Sequence, residues 1–538
     1  MKRVSAAVLL GVALGLFATT PGRTADTADQ KCQALKSFSW PNLVLDAVEY
    51  VPAGPAKGRP GAPPGAMLPE HCLFRATLSP RKGADGQQLG IGMELRLPID
   101  WNGRFDFQGG GGLDGVLQPS YGSTNPAFPP ALARGFAVVS TDGGHRGKSM
   151  MDARFALDQQ GRLDYAYNAV DQTTQVAKAV ITAFYGRKPD YSYFVGCSNG
   201  GRQAMIAAER FPTYFDGIVA GDPTFRLAWT NVDQAWNEVV LARAAPKDAN
   251  GKPIISQALS ESDLKLVGDA VLRACDAKDG LKDGMINDFR ACHFDPAVLT
   301  CKGAKTASCL APKQVTALKE LMGGPHDSKG HQLYASFPYD SGISGRAFRS
   351  MHFGTSQTGQ MNAADATLGF DSLRYYSMTP PDPNFDVMKF NFDHDIERIR
   401  ETSKIDDADA TYLVTFASHG KLLMYHGLSD QGLSPLDTAA WYDKLHASTG
   451  GVTQDWARLF MVPGMTHCGG GEATDRFDVL TALQDWVEKG QAPDRILAKA
   501  GPNTPWPGRE RPLCPYPKVA RYAGSGSTED AANFTCEE

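Results

Sequence analysis

The sequence predicts an α/β fold with a mainly parallel sheet. Short apolar or β-branched segments alternate with segments of helical periodicity, the pattern of strands joined by helices. Two of these strands end just before a candidate catalytic residue. The predicted strands are residues 104–108, 136–141, 191–195, 216–220, 422–425 and 459–462.

Two helices and a large insertion complete the predicted organisation. Residues 171–185 carry Val176, Val180 and Phe184 along one face, and residues 202–210 follow the strand at 191–195 after a tight turn. The alternation breaks between about residues 223 and 390, where aromatics and four cysteines occur without clear strand spacing. We expect a catalytic domain from residues 25–222 and 391–538, a lid domain at 223–390, and an irregular Pro/Gly-rich loop at 51–66.

The composition excludes one broad class of function. The 538 residues are 42% hydrophobic, enough for a substantial core, and the net charge is −5 without a long basic run. Nucleic-acid-binding proteins normally carry a basic surface. We therefore set nucleic acid aside as a partner.

Residues 1–24 have the layout of a secretory signal peptide. Lys2 and Arg3 precede an apolar stretch at 4–17, and small and polar residues follow up to Ala25. The stretch is shorter than the roughly 20 residues that a membrane helix needs, which disfavours a retained anchor. No later segment of the sequence is long and apolar enough to cross a bilayer. We expect a secreted or periplasmic protein without membrane attachment after cleavage.

Export makes the ten cysteines candidates for disulfides. Cys197 and Cys468 are the long-range pair, although sequence alone does not fix connectivity. If they were bonded, their α-carbons would be roughly 4.4–6.8 Å apart, and the neighbouring Ser198 and His467 would come near hydrogen-bonding range. Proximity suggests four local pairs: Cys32 with Cys72, Cys275 with Cys292, Cys301 with Cys309, and Cys514 with Cys536.

Ser198 is the candidate nucleophile. The segment Gly196-Cys197-Ser198-Asn199-Gly200 satisfies the Gly-x-Ser-x-Gly pattern between a predicted strand and a predicted helix. Such a turn exposes the serine hydroxyl at the tip of a strained bend. An ordinary Gly/Ser turn at a helix start is the alternative, and the flanking elements and the adjacent cysteine favour the nucleophile.

His467 is the candidate general base, because a serine hydroxyl is weakly nucleophilic until a neighbour accepts its proton. It follows a predicted strand, lies in a glycine-rich loop and adjoins Cys468. Its competitors are more plausible as loop or supporting residues. These competitors are His145, His419 and His426.

Asp430 is the candidate acid that orients the histidine. It follows the predicted strand at 422–425, and the chain order Ser198, Asp430, His467 matches the Ser…Asp/Glu…His order of α/β-hydrolases. The alternatives are Asp222 and Asp455.

Two backbone N–H groups are needed to hold the developing oxyanion. We expect one from Asn199, directly after the nucleophile. The other should come from the Gly109–Gly112 loop, which is similar to the glycine-rich oxyanion loop of lipases and esterases. We select Gly111, although the sequence does not rank the four glycines.

Residues 276–288 form an acidic, glycine-containing segment that suggests calcium. Calcium prefers about six to eight oxygen ligands, from carboxylates and backbone carbonyls. The spacing is not that of an EF-hand, and an acidic surface turn is the alternative. The flanking Cys275 and Cys292 favour a rigid, structural site away from the chemistry. The expected ligands are Asp276, Asp279 and Asp283, with the carbonyls of Leu281 and Met285.

The predicted lid contains aromatic and basic side chains that are candidates for substrate contact. Aromatic residues are more often core residues than ligand contacts. The candidates are Phe348, Phe353, Phe370, Tyr375 and Tyr376, with Arg349 and Arg374 for a substrate carboxylate.

Together, Cys197-Ser198, His467-Cys468, Asp430 and the calcium-like loop resemble the tannase and feruloyl esterase family, over essentially the whole mature chain. The resemblance implies an α/β-hydrolase core with a large lid, calcium in the lid, and a Cys197–Cys468 disulfide that joins the two catalytic segments. It also implies a triad of Ser198, Asp430 and His467. One departure is Gly143, where we would expect threonine.

The implied activity is that of a secreted serine carboxylesterase that cleaves esters of aromatic acids, feruloyl or galloyl, through an acyl-enzyme. No organic cofactor is expected, and a terephthalate monoester, mono(2-hydroxyethyl) terephthalate, is the alternative substrate. A second hypothesis makes Cys197 a thiol nucleophile, which an oxidising compartment disfavours. A third is a catalytically inactive calcium-binding module, which leaves the triad order unexplained.

Overall fold

The computed structural model describes residues 1, 27–56, 65–123 and 125–538. The predicted signal peptide, apart from its first residue, lies outside the described residues. The Pro/Gly-rich loop is described at its two ends, where Gly54–Pro55 pairs with Met67–Leu68.

A nine-stranded sheet lies at the centre of the described part of the chain. Its strands are β1 (Leu43–Val51), β2 (His71–Lys82), β3 (Gln88–Pro98), β4 (Arg104–Gln108), β5 (Ala137–Thr141), β6 (Tyr191–Cys197), β7 (Gly217–Gly221), β8 (Lys421–Gly427) and β9 (Ala457–Val462). The order across the sheet is β1-β2-β3-β5-β4-β6-β7-β8-β9. The pairs β5–β4, β4–β6, β6–β7, β7–β8 and β8–β9 are parallel. The pairs β1–β2, β2–β3 and β3–β5 are antiparallel.

The six predicted strands are all present, with ends within two residues of the expected positions. The antiparallel strands β1, β2 and β3 were not predicted. In β3, every residue after Gln88 is buried, so the strand lacks the alternation that marks a half-exposed strand. Two short hairpins follow the sheet: β10 (Ile496–Lys499) with β11 (Glu510–Leu513), and β12 (Val519–Tyr522) with β13 (Phe534–Glu537).

Helices cover both faces of the sheet. The helices are α1 (Ala28–Gln33), α2 (Gln159–Leu163), α3 (Ala169–Tyr185), α4 (Asn199–Arg210), α5 (Leu227–Ala244), α6 (Glu261–Cys275), α7 (Pro312–Gly323), α8 (Arg346–His352), α9 (Glu397–Asp406), α10 (Val414–Ala417), α11 (Pro435–Ser448) and α12 (Val479–Lys489). Phe194 of β6 packs in the core that contains α3 and α4. Its neighbours Tyr193 and Val195 pack on the opposite face with Leu483 of α12. This alternation along one strand is that of a sheet buried on both sides.

The connection from β7 to β8 holds α5 to α10, of which α5 to α9 form a helical layer with cores of its own and α10 packs in the core of the sheet. Its long helix α5 is buried along most of its length, including polar residues such as Asn231 and Gln234. Ile396 and Ile399 pack against Val232 of α5 in a small core of their own. The helical layer therefore continues through α9, past the predicted lid boundary at residue 390.

A buried ion pair fixes this layer to helix α4, which begins directly after Ser198. Arg202 of α4 lies 2.7 Å from Asp406 at the end of α9, and neither side chain is exposed to solvent. The Tyr376 hydroxyl also donates to Asp406, at 2.7 Å. Removing one partner of such a pair costs about 3–5 kcal/mol because the other charge stays buried. The interaction therefore holds the insertion in place above the sheet.

All ten cysteines are paired in five disulfides, and the pairs are those that spacing and resemblance suggested. They are Cys32–Cys72, Cys197–Cys468, Cys275–Cys292, Cys301–Cys309 and Cys514–Cys536. Within the described ranges, no helix has the length and apolarity that crossing a bilayer requires.

Candidate active site

Ser198 occupies a sharp turn between β6 and α4. Its backbone lies in a left-handed region, with φ 63° and ψ −126°, which is strained for a residue with a side chain. The turn is held by the Ser198 N–H, which donates to Gly221 O at 3.0 Å. A β-carbon at Gly196 would lie 2.4 Å from the carbonyl carbon of Gly200. The close approach of the two backbones therefore requires glycine at position 196.

His467 and Asp430 meet at the carboxyl end of the sheet. β8 and β9 are parallel neighbours, so the loops that follow them emerge on the same side. His467 Nδ1 lies 2.6 Å from Asp430 Oδ2. The other carboxylate oxygen accepts the Gly432 and Leu433 N–H groups at 2.9 and 3.0 Å. These two bonds fix the carboxylate with one oxygen facing the imidazole.

The Cys197–Cys468 disulfide joins the loop of His467 to the turn that carries Ser198. The two α-carbons are 6.0 Å apart, although 271 residues separate the cysteines in sequence. Ser198 and His467 line the same cavity, of about 120 Å³. The structure thus brings the three residues of the predicted triad to one place.

The charge of His467 is controlled by its carboxylate neighbours. Burial disfavours the imidazolium, but the Asp430 charge and hydrogen bond, with a smaller effect of Asp222, raise the pKa of His467 to about 9. Burial likewise opposes ionisation of Asp430, and the two histidines outweigh it, so the pKa of Asp430 lies below its usual range. The pair therefore favours a carboxylate beside an imidazolium.

Asp222 and His426 form a buried layer beneath this pair, which the sequence did not predict as a unit. His426 Nε2 lies 3.4 Å from Asp430 Oδ2 and 3.7 Å from Asp222 Oδ1. Asp222 accepts the Gly427 N–H at 2.8 Å. Burial raises the pKa of Asp222, and the nearby Asp430 charge raises it further, whereas His426 offsets part of this rise. In the sequence, only their positions at the ends of β7 and β8 indicated that Asp222 and His426 lie near the site.

The remaining competitors lie away from the cavity. His145 is buried and stacks on Phe155, with ring centroids 3.9 Å apart. His419 is exposed, with Nδ1 3.2 Å from Thr415 O. Asp455 lies in an exposed turn before β9. None of these three is among the described residues that line the cavity.

The glycine loop after β4 lies against the nucleophile turn. The Gly109 and Gly110 N–H groups are used, donating to Val195 O and to Gln203 Oε1, each at 2.9 Å. Among the described residues, the N–H groups of Gly111, Gly112 and Asn199 have no acceptor. In this loop, Gly111 and Gly112 are therefore the glycines whose N–H groups could donate to an oxyanion, and Gly112 lines the cavity.

Asp114 connects this loop to Asn199. Its carboxylate accepts from the Asn199 side-chain amide and, at 3.0 Å, from Gln203 Nε2. The Tyr165 hydroxyl lies 3.1 Å from both Gly112 O and Asn199 Oδ1. Burial raises the pKa of Asp114 to about 6, against the hydrogen bonds from Gln203 and Asn199 and the Arg202 charge. This network fixes the two segments that carry the free N–H groups.

Local packing explains why position 143 is glycine and not the threonine that the family resemblance suggests. Gly143 has φ 74°, and a β-carbon there would lie 2.6 Å from Asp114 Cβ. A threonine would therefore displace Asp114 from its contacts with Asn199 and Gln203. The glycine at position 143 therefore leaves room for Asp114 to bind Asn199 and Gln203.

The cavity is lined mainly from the inserted layer and from the loop after Asp430. The sequence predicted contacts from the lid but did not select these residues, because helix α5 carries no motif. The apolar side chains are Leu113, Leu227, Met351, Leu368 and Leu433, and the polar ones include Thr224, Thr230, Asn231, Gln234, Ser372 and Gln431. Gln431 Oε1 is buried, and nothing in the described part of the chain donates a hydrogen bond to it.

The aromatic and basic candidates for substrate contact are not among the described residues that line this cavity. Phe348 and Phe353 pack in the core around α5, α6 and α7, and Phe370 packs against the core formed by α5 and α9. Tyr375 and Tyr376 pack in a cluster that includes Phe155 and Tyr165, outside the insertion. Arg349 donates to Ser256 O and Leu259 O, and Arg374 to Phe385 O. These side chains are therefore engaged in packing or in hydrogen bonds outside the cavity lining.

The acidic segment after α6 is compact and rich in oxygen. Asp276 Oδ1 accepts the Asp283 and Gly284 N–H groups at 3.1 Å, and Asp279 Oδ2 accepts from Asn287. Asp283 pairs with Arg511 and Arg509. Within the described residues, nothing donates to the carbonyls of Leu281 and Met285.

The donor chemistry of this segment suits calcium, since carboxylates and free carbonyls are hard oxygen ligands. Among the described residues, Asp276, Asp279 and Asp283 do not form a group whose carboxylate oxygens all lie within 4.8 Å of one another. The Asp283 carboxylate is instead held by the two arginines. The backbone carbonyls would therefore have to supply part of any ligand set.

The geometry defines the class of protein. A parallel sheet, a serine in a strained turn after β6, and an Asp–His pair after β8 and β9 are the arrangement of an α/β-hydrolase. Cys197 is bonded to Cys468, so the hypothesis of a Cys197 nucleophile is wrong.

Comparison with known proteins identifies the family. The family described as tannase and feruloyl esterase matches residues 76–537, and the chain belongs to this family of carboxylic ester hydrolases. The chain is 42% identical to mono(2-hydroxyethyl) terephthalate hydrolase of Piscinibacter sakaiensis, over 94% of this chain and 91% of that protein. It is 30% identical to a probable feruloyl esterase of Arthroderma benhamiae, over 91% and 89%.

Solved structures agree with this assignment. The crystal structure of feruloyl esterase B from Aspergillus oryzae superposes with a TM-score of 0.78 at 26% identity, covering 95% of this chain and all of that one. Tannin acyl hydrolase from Aspergillus niger has a TM-score of 0.72 at 22% identity, covering 96% of each chain, and shares the fold.

Replacing Asp430 by asparagine tests its effect on the charge of His467. Because loss of the carboxylate charge lowers the pKa of His467 from about 9, the rise of kcat/KM with pH should move to lower pH. The rate itself should fall by about 10³–10⁴-fold, since the imidazolium loses its partner. The measurement is kcat/KM against pH from 5 to 10. Asp455→Asn is the matched control and should keep the wild-type profile, and an unmoved profile in Asp430→Asn would contradict this role.

Proposed function

We propose that the protein is a secreted serine esterase that cleaves esters of aromatic acids with Ser198, His467 and Asp430 as its triad. The observation that carries the proposal is the arrangement of these residues. His467 lies 2.6 Å from Asp430 and lines the same cavity as Ser198. The Cys197–Cys468 disulfide links the residue before Ser198 to the residue after His467.

In this mechanism His467 accepts the proton of Ser198 as the hydroxyl attacks the ester carbonyl. Asp430 stabilises the imidazolium that forms, and the Asn199 and Gly111 N–H groups hold the oxyanion, with Gly112 as the alternative donor. His467 then protonates the leaving alcohol, and water hydrolyses the acyl-enzyme. These steps need no organic cofactor.

The size and lining of the cavity support an aromatic acyl group. A cavity of about 120 Å³ is of the order that encloses one benzene ring, since an apolar cavity of about 150 Å³ binds benzene. Leu113, Leu227 and Leu368 supply apolar walls. Polar groups at a few positions, such as Gln431, would fix the orientation of the ring.

The polar lining favours a phenolic acid over a terephthalate. No lysine or arginine is among the described residues that line the cavity, and an unpaired carboxylate is costly to bury. Gln431 Oε1 is instead a buried acceptor without a donor, which a phenolic hydroxyl would satisfy. The Piscinibacter relative is the support for the terephthalate monoester as second candidate.

Secretion is supported by the disulfides. Five disulfides in one chain indicate an oxidising compartment, because cytosolic thiols are kept reduced. The signal-peptide layout of residues 1–24 agrees with this compartment.

A hydrolysis panel tests this function. Purified protein is assayed on methyl ferulate, methyl gallate and mono(2-hydroxyethyl) terephthalate. We expect kcat/KM for one of the phenolic esters to exceed that for the terephthalate by about tenfold or more, because of the unpaired carboxylate.

The Ser198→Ala variant should lose about 10⁴-fold or more of this activity, and Ser448→Ala, on the exposed end of α11, should retain it. Equal activity of Ser198→Ala and wild type would refute the triad. A preference for the terephthalate would refute the phenolic assignment while leaving the triad intact.

We also propose that the segment 276–285 binds a structural calcium ion. Asp276, Asp279 and Asp283 would hold it with the carbonyls of Leu281 and Met285, and the Cys275–Cys292 disulfide closes the segment. The ion would supply positive charge among buried carboxylates and rigidity to the loop, with no part in the chemistry.

Calcium removal should lower thermal stability. Since a bound ion stabilises only the folded state, EGTA should reduce the melting temperature of wild type by about 2–5 °C, and added Ca²⁺ should restore it. In Asp279→Asn this response should disappear. Metal analysis that finds no calcium in the purified protein, together with a melting temperature insensitive to EGTA, would rule the site out.

A further inference from the structure

The inserted layer contacts the loop that carries Asp430 on both sides of this acid. Ser429, directly before Asp430, donates its hydroxyl to the buried carboxylate of Asp340. A β-carbon at Gly432 would lie 3.1 Å from the methyl of Met351, so Met351 packs against the backbone just after Asp430. The position of the acid is therefore coupled to the start and the end of the segment 340–352.

His352, the last residue of α8, makes a third contact with this loop. Its Nδ1 lies 2.7 Å from Asp365 Oδ2, and both side chains are buried. Burial lowers the pKa of His352 to about 4, and Asp233 and a hydrogen bond with the Gln431 backbone act in the opposite direction. A carbonyl acceptor has this effect, because it favours a protonated nitrogen. Since Asp365 occupies Nδ1, the Gln431 carbonyl faces Nε2.

The burial of three carboxyl groups decides where the protons of this contact lie. Burial raises the pKa of Asp365 well above its usual range. Asp233 and Glu238 of α5 are also buried, and burial and the Asp365 charge raise the pKa of each. Because like charges disfavour ionisation of one another, Asp365 keeps its proton and donates it to Nδ1 of His352. The hydrogen of the neutral imidazole then lies on Nε2 and faces Gln431.

The Gln431 carbonyl and the Gly432 N–H belong to one peptide group, which is planar and turns as a unit. The N–H end donates to Asp430 Oδ1 at 2.9 Å, and the carbonyl end is held by His352. The other oxygen of Asp430 lies 2.6 Å from His467 Nδ1. A rotation of this peptide group would therefore move the donor that orients Asp430 toward His467.

We propose that His352 is a positioning residue for the esterase reaction. It holds the peptide group that follows Gln431 and thereby orients Asp430 toward His467. Asp365 contributes by leaving the imidazole hydrogen on Nε2, where it faces the loop. The inference rests on the proposed triad and adds to it a residue of the inserted layer.

Two substitutions of His352 separate this role from packing. In His352→Gln the side-chain amide reaches the place of Nε2, whereas in His352→Asn the shorter amide reaches only the place of Nδ1. His352→Asn can thus keep the contact with Asp365 and lose the Gln431 carbonyl, and His352→Gln does the reverse. The quantity measured is the rate at which a fluorophosphonate labels Ser198 at pH 5 to 10, which does not depend on the choice of ester.

In His352→Asn we expect the labelling rate to fall by about 10²-fold, because a displacement of about 1 Å is enough for such a loss. The rise of the rate with pH should also move to lower pH, since a displaced Asp430 raises the pKa of His467 less. A loss of packing alone would lower the rate without moving this profile. His352→Gln should stay closer to wild type in both the rate and the profile.

His419→Asn is the matched control, because His419 is exposed and is not among the described residues that line the cavity. It should behave as wild type. Melting temperatures establish that each variant is folded. A wild-type rate and profile in folded His352→Asn would overturn the inference, and so would a folded His352→Gln that is as impaired as His352→Asn. Wild-type protein that the probe does not label at Ser198 would instead overturn the proposed function and this inference with it.

Discussion

The disulfide between Cys197 and Cys468 is the constraint on which the candidate active site depends. Each cysteine adjoins a residue of the site, Ser198 on one side and His467 on the other. It closes a loop of 271 residues, and the chain-entropy model gives such a closure on the order of 5 kcal/mol of stabilisation. Both Ser198 and Cys468 have positive φ angles, of 63° and 61°. The covalent bond thus helps to hold two strained turns face to face.

Buried polar contacts extend this constraint in two directions. Below the pair, Asp222 and His426 surround Asp430. Beside Ser198, Asp114 and Tyr165 hold Asn199 and the glycine loop. Arg202 continues the network to Asp406 in the inserted layer. Groups buried in this way are stable only when their partners are in place. The insertion that lines the cavity is therefore tied to α4, the helix that begins directly after Ser198.

Much of this architecture could be predicted from the sequence because its signals are local. Ser198 lies in a glycine-framed pattern, and each predicted strand is a short apolar run. The cavity lining could not be predicted in the same way. Leu227 and Gln234 lie on a helix with no motif, and only the tertiary fold turns that helix toward Ser198. The aromatic residues of the insertion did not locate the cavity either: Phe348 and Tyr376 are buried in packed cores, and buried rings mark a core as readily as a binding surface.

The most direct test of this account removes the disulfide. In the double variant Cys197→Ala/Cys468→Ala, no thiol is left unpaired, and His467 loses its covalent link to the nucleophile turn. We expect kcat/KM to fall by about 10²-fold or more in protein that is still folded, because a displacement of about 1 Å is enough for such a loss. The control, Cys301→Ala/Cys309→Ala, removes a local disulfide and should keep wild-type activity. Wild-type turnover in the folded Cys197→Ala/Cys468→Ala variant would contradict the account.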